Sequence, residues 1–290
     1  MKEFDAQKTA AFFNQTYRGT DIERGQREGA RLHHRDRILL DKILPPLGKS
    51  LKLLDYGCGL GRLCTALVSG GYDAWGMEKH DDMRAIAEEA VAKVSRGEKR
   101  MLPGSVDELE ALPAASYDMI VLMGVFQYLS KAEYDRTLAA IHRALKPGGT
   151  MVATWQNAMF DAFTFNKYTV DFMMDKVIGP HVDKAQADGI QKDIESLLVN
   201  FDKPPYAATR ARDNIFVYLT NPLTIEGHLR QAKFAAKQKF FYEWFGLPPL
   251  IAGKHPEAAK KIAEGFEVDN AKSWQGHFMA NAFLIEATKI

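Results

Sequence analysis

Of the 290 residues, 46% are apolar and 26% charged, close to the soluble globular average, which excludes a fibrous or disordered chain. The 38 basic and 37 acidic side chains leave a net charge of +1, so no global field draws the chain to nucleic acid or an anionic membrane. Cys58 and Cys64 stand without the spaced Cys and His partners of a zinc site, which predicts no metal and a reduced, cytoplasmic setting, and no run approaches the roughly 18 apolar residues of a membrane span.

In chain order, Ala6 to Ile43 reads as helical and strongly charged, a cap covering residues 1–48. From Leu51 to Trp155, short β-rich runs alternate with longer helical stretches, the pattern of a sheet whose strands are joined by helical crossovers. The expected strands are Lys52 to Asp55, Asp73 to Glu78, Arg100 to Pro103, Tyr117 to Met123 and Thr150 to Trp155. Gly148-Gly149, after Lys146-Pro147, ends the helix Lys131 to Leu145 and turns the chain into the fifth strand. Asn157 to Asn214 carries aromatic and Met residues without strand periodicity, up to the Pro204-Pro205 break and the Arg210, Arg212, Asp213 cluster. This insertion fits an apolar lid over a small-molecule pocket. Phe165, Tyr168, Thr169 and Phe172 equally fit the buried stripe of an amphipathic helix. A helix near Thr224 to Lys233, an aromatic strand near Gln238 to Trp244 and a final strand near His277 to Ala287 complete the chain. The expectation is a doubly wound α/β fold with a mostly parallel seven-stranded sheet, its core spanning 49–156 and 215–290 and its insertion spanning 157–214.

The first strand runs into Asp55-Tyr56-Gly57-Cys58-Gly59-Leu60-Gly61. Alternate glycines at a strand-to-helix junction let the backbone turn tightly and bring a ligand against bare main chain. A dinucleotide fingerprint needs its third glycine three residues after the second, and that position holds Arg62. An acid closing the strand, Asp55, faces a pyrophosphate badly and suits an ammonium group, so the ligand is expected to be cationic on that side.

The Asp-x-Gly-x-Gly-x-Gly turn, with Glu78 closing the next strand, resembles motif I and its partner acid in class I S-adenosylmethionine-dependent methyltransferases. The resemblance runs continuously from Leu51 to Trp155. It implies a Rossmann-like fold with S-adenosylmethionine as cofactor, Glu78 on the ribose hydroxyls, and Asp55, Gly57, Cys58, Gly59 and Gly61 around the cofactor. It further implies an adenine contact near Ser105 and Val106, where the family usually has an acidic or amide side chain at the place of Ser105. Met123 and Gln127, in Met123-Gly124-Val125-Phe126-Gln127-Tyr128-Leu129, fall on the segment that passes the methionine moiety. Tyr17 stands where an aromatic of the cap closes over the cofactor in many relatives.

A sulfonium already activates its methyl group, so such a protein mainly aligns a nucleophile and excludes water, and no obligatory catalytic motif is expected. Tyr128, Asn157 and Tyr168 are the candidate catalytic side chains. The leading expectation is methyl transfer to oxygen or nitrogen of a small molecule by direct displacement, with no nucleic-acid or membrane partner and a homodimer left open. Aminocarboxypropyl transfer or cyclisation releasing methylthioadenosine is the rival within the same fold, and a protein or RNA acceptor is the further alternative. The Asn/Asp-Pro-Pro-aromatic tetrad of many nucleic-acid base methylating enzymes is replaced here by Met123-Gly124-Val125-Phe126.

Overall fold

The structure, a computed structural model, describes residues 5, 7–9, 11–12, 32–198, 215–269 and 273–290. The chain divides into two compact units, one of Met1–Trp155, Leu223–Phe240 and Leu284–Ile290, the other of Gln156–Pro222 and Phe241–Phe283. The second unit therefore takes in residues beyond the 157–214 insertion.

The first unit enters at α1 (His34–Ile38), continued by a π-helical turn, Leu39–Ile43. Ile38, Leu39, Ile43 and Leu44 are buried along it. Four strand and helix alternations follow: β1 (Lys52–Tyr56), α2 (Arg62–Ser69), β2 (Asp73–Glu78), α3 (Asp81–Ala92), β3 (Met101–Pro103), α4 (Val106–Ala111), β4 (Tyr117–Leu122) and α5 (Lys131–Ala144). They lead into β5 (Leu145–Asn157). Leu53, Leu54, Asp55 and Tyr56 are all buried, as expected of a parallel strand covered on both faces, whose apolar run does not alternate. The unit is completed by α8 (Ile225–Gln231) and by parts of β7 (Phe234–Trp244) and β8 (Ala280–Lys289).

The sheet runs in the order β3-β2-β1-β4-β5-β8-β7, with the two-residue β6 (Leu219–Thr220) on β5. β1 pairs parallel with β2 and β4, β2 with β3, and β4 and β6 with β5. Among the described residues the seven expected strands form that ordered path, and β6 adds an eighth that the sequence did not signal, because a two-residue bridge leaves no periodicity. The fifth strand also starts earlier than Thr150: Tyr117 pairs with Leu145 and Met119 with Thr150. The four residues Lys146 to Gly149 bulge between those pairs, so the glycines turn the chain within the strand. Asp118 fixes the bulge, accepting from the Lys52 amide at 2.9 Å and the Lys146 ammonium at 2.8 Å. The last strand begins at Ala280 and not near His277, because residues Gly276–Met279 form a helical turn.

In the second unit Asn157 caps a 3-10 turn, Ala158–Phe163, and Asn166 caps α6 (Lys167–Phe172). A π-helical turn, Met173–Ile178, and α7 (Lys184–Leu197) follow. Phe165 precedes the cap with φ of 53° and is exposed, while α6 buries Tyr168 and Val170. The stripe of Phe165, Tyr168, Thr169 and Phe172 is therefore not formed: helical phase begins only after Asn166. Apolar contact in this unit comes from Phe160 on Phe245, ring centroids 5.0 Å apart, and Trp244 stacked on Phe266 at 4.9 Å. Pro204-Pro205, Arg210, Arg212 and Asp213 lie outside the described residues.

Candidate functional site

The site forms in the first unit where β1, β2 and β4 end side by side. β1 and β2 are in register, Asp55 opposite Gly76 and Tyr56 opposite Met77. The turn that follows folds back over the end of β2: the Gly57 and Cys58 amides both donate to the Met77 carbonyl, at 2.8 and 3.0 Å. Gly57 and Gly61 have φ of 73° and 76°. A Cβ on Gly57 would lie 2.5 Å from Val125 Cγ2, and one on Gly61 2.9 Å from the Ala87 Cβ. The glycines are thus demanded both by left-handed backbone and by close approach.

Glu78 is buried at the end of β2. Its Oε2 accepts from the Gly59 amide at 3.0 Å; its Oε1 accepts from the His80 amide at 2.9 Å and faces His80 Nδ1 at 2.9 Å. Burial alone would push this carboxyl up, but the His80 ring, the His80 amide and the Gly59 amide together hold it below the ordinary glutamate value. The expected bidentate acceptor of both ribose hydroxyls is therefore already half used, since one oxygen carries two contacts to His80.

Asp55 is buried at the end of β1 with 2% exposure. Burial, and then the negative charge of Asp36, push its carboxyl up to about 7, against the opposing pull of Arg62 and Arg35. Asp36 is fully buried on α1, where its Oδ2 accepts from Arg62 Nε at 2.9 Å and from the His33 amide at 2.8 Å. Arg35 Nη1 lies 3.0 Å from where a Cβ would stand on Gly124, beyond β4. Two acids and two guanidiniums therefore surround the mouth of the glycine turn. Such a mixed set suits a zwitterion. Sequence reasoning missed Asp36, Arg35 and Arg62: they sit within or beside runs of mixed charge, and a tie across 26 residues has no local signature.

The structure brings Asp55, Gly57, Cys58, Gly59, Gly61 and Glu78 together, with Met123 and Gln127 buried just beyond β4. The Cys58 thiol lies 3.8 Å from Met101 Sδ and burial pushes its pKa well up, so it is no nucleophile at neutral pH. Ser105 is the N-cap of α4. Its hydroxyl contacts the Glu108 carboxylate, whose Oε2 also takes the Ser105 amide at 2.7 Å. The Ser105 side chain is committed to a capping box that Ser105-Val106-Asp107-Glu108 spells out, and buried Val106 opens the helix behind it. Tyr128 closes the 3-10 turn Phe126–Tyr128 after β4.

Asn157 is corrected from catalytic candidate to bracket. Its Nδ2 donates to the carbonyls of Gly276, His277 and Ala280 at 3.2, 2.9 and 2.8 Å, and its Oδ1 accepts from the Met159 amide at 3.0 Å. With both amide ends engaged, it pins chain segments about 120 residues apart. Tyr168 is buried within the second unit, beneath the Lys167 ammonium. Tyr17 lies outside the described residues. Among the described residues, no group of three or more His, Cys, Asp or Glu is placed to hold a metal, and no helix is long and apolar enough to cross a membrane.

Residues 54–153 match the family model described as a methyltransferase domain. That span contains the glycine turn, Glu78, Gln127 and the β4–β5 pair. By that match the span is a methyltransferase domain. Among curated relatives, the chain is 27% identical over 171 residues to an uncharacterized methyltransferase of Geobacillus kaustophilus, covering 58% of this chain and 74% of the relative. It is 29% identical over 124 residues to an uncharacterized methyltransferase of Bacillus cytotoxicus, covering 41% of this chain and 52% of that one. The chain thus spans about half the length of the latter relative. A methyltransferase structure from Archaeoglobus fulgidus shares the fold with a TM-score of 0.53 at 15% identity, over 97% of this chain and 99% of that one. The 1,6-didemethyltoxoflavin-N1-methyltransferase of Burkholderia thailandensis does so at 0.53 and 14% identity, over 98% and 88%.

The residues present fit the cofactor of this methyltransferase family. Its sulfonium, ammonium and carboxylate call for acceptors and cations together, and its ribose calls for a carboxylate. Glu78 is held ionised, Asp55 is a buried acid in the field of the Arg62 and Arg35 guanidiniums, and Gln127 Oε1 is a buried acceptor with no hydrogen-bond partner among the described residues.

Proposed function

We propose that this methyltransferase carries the methyl group of S-adenosylmethionine to an oxygen or nitrogen of a small-molecule acceptor by direct displacement. The reading rests on one arrangement: the glycine turn folded over β2 with Asp55 at one end and Glu78 hydrogen-bonded to its Gly59 amide. Glu78 takes the ribose, Asp55 the methionine ammonium, and Arg35, against Gly124, the methionine carboxylate. The bound cofactor supplies an electrophilic methyl group; the chain supplies alignment and a dry floor of Val125, Met123 and Phe126.

A small-molecule acceptor is supported by the near-neutral net charge, +1 over 290 residues, which gives no general attraction to nucleic acid. Proteins of this fold accommodate such acceptors: the Burkholderia thailandensis structure holds 1,6-didemethyltoxoflavin and S-adenosylhomocysteine. The acceptor's proton, where one must leave, has Tyr128, in the turn after β4, as its candidate base. The protein is proposed to work in the cytoplasm.

Calorimetric titration with S-adenosylmethionine and S-adenosylhomocysteine tests the reading, followed by an acceptor screen read by nucleoside product. Binding that falls by about 1–3 kcal/mol in Glu78→Ala, with S-adenosylhomocysteine as product, is the expected outcome. Release of methylthioadenosine would replace methyl transfer by attack on another carbon beside sulfur, and no binding of either ligand would refute the cofactor assignment.

A further inference from the structure

The Glu78 carboxylate reaches the site with most of its accepting capacity already taken. An ionised carboxylate only accepts, at about two positions on each oxygen. Oε1 takes the His80 amide and meets His80 Nδ1, each at 2.9 Å, and Oε2 takes the Gly59 amide at 3.0 Å. Because Oε1 offers no proton, the Nδ1 that faces it is the nitrogen that carries hydrogen. Three of roughly four positions are therefore filled, and the remaining one is on Oε2.

The carboxylate is also fixed in that pose. The Glu78 main-chain carbonyl accepts from Arg84 Nη1 at 3.0 Å. Glu78 pairs with Pro103 on β3, and a Cβ on Gly104 would lie 2.5 Å from the Glu78 amide nitrogen, so the chain leaving β3 packs directly on its backbone. His80 is the N-cap residue of α3, and its ring, 28% exposed, is turned back onto Glu78. Rotating the carboxylate to offer both oxygens to a ribose would break the Gly59 contact or both His80 contacts.

We infer that His80 restricts Glu78 to one ribose hydroxyl of the bound cofactor, accepted by Oε2, and leaves the second hydroxyl unread by this acid. The inference rests on the cofactor reading proposed above and narrows it, since the family resemblance implies both hydroxyls on Glu78. His80 acts through Glu78 and is a positioning residue. Its ring closes Oε1; with the ring removed, that oxygen regains a position for the second hydroxyl.

Binding of S-adenosylhomocysteine and of its 2′-deoxy and 3′-deoxy forms to wild type, His80→Leu and His80→Asn tests it. In wild type, loss of one hydroxyl is expected to weaken binding about tenfold, and loss of the other by less than about twofold. In His80→Leu the second loss should also cost about fivefold or more, whereas His80→Asn, whose amide can donate to Oε1, keeps the wild-type pattern. Wild-type binding weakened alike by either deoxy form would place both hydroxyls on Glu78 and overturn the inference, as would insensitivity to both. The wild-type comparison decides this even if the leucine variant fails to fold. A His80→Leu pattern identical to wild type would remove the ring from the reading of ribose and likewise overturn it. Failure of wild type to bind S-adenosylhomocysteine itself would overturn the cofactor reading and this inference together.

Discussion

Replacing Asp55 by Asn keeps the shape of the buried side chain and removes its ionisation. In the folded chain the carboxyl stays protonated up to about pH 7, against an ordinary value of 3.8. The folded state thus binds more protons than the unfolded one between those limits, and stability must fall as pH rises through that window. A gap of about 3 pH units corresponds to about 4 kcal/mol. Wild type minus Asp55→Asn should therefore be flat below pH 3.8, decline by about 4 kcal/mol toward pH 7, and level off above it. Urea unfolding followed by circular dichroism between pH 4 and 8.5 measures the difference.

A bound ammonium reverses the balance by favouring the carboxylate. Affinity for S-adenosylhomocysteine should therefore rise with pH toward 7 in wild type, with proton release detectable as a buffer-dependent heat. Asp55→Asn should bind roughly 10- to 100-fold more weakly and without that dependence. Parallel stability curves for the two proteins across the range would refute the assignment of a buried, proton-retaining acid at this strand end.

His80→Ala removes the ring from Glu78 Oε1. The stability contributed by Glu78 is present above its ordinary value of 4.5 and lost as pH falls through the lower folded value; acid unfolding should therefore begin at higher pH in the variant, as tryptophan fluorescence would show. Arg62→Met leaves Asp36, whose side chain is fully buried, without its 2.9 Å partner. A loss of about 3 kcal/mol in urea unfolding is expected, and Asp36→Asn in the same background should recover much of it.

Local sequence determined the elements that depend on short-range rules. The glycine turn between Asp55 and Gly61 was legible because left-handed backbone and close approach demand glycine at set spacings. Glu78 was legible because it ends a buried β run at the distance where a ribose acid belongs. The strands β1 and β4 were legible because burial on both faces leaves short apolar runs, Leu53-Leu54 and Met119 to Leu122. The role of Ser105 is also written locally, in the Ser-x-x-Glu box, whereas the adenine contact there is only what the family resemblance implies.

Only the tertiary structure decided the rest, because the partners are remote in sequence. Asp36 meets Arg62 across 26 residues and Asn157 meets the carbonyls of Gly276 and Ala280 across more than 100; neither pairing leaves a period or a motif. The half-used Glu78 carboxylate, and the Gln127 oxygen that has no partner among the described residues, are likewise properties of neighbours, not of the residues themselves. Sequence period reports which face of an element is apolar. The protonation of Asp55 and the acceptor left open at Gln127 depend on which charges and donors the fold brings near them, and that is set by packing.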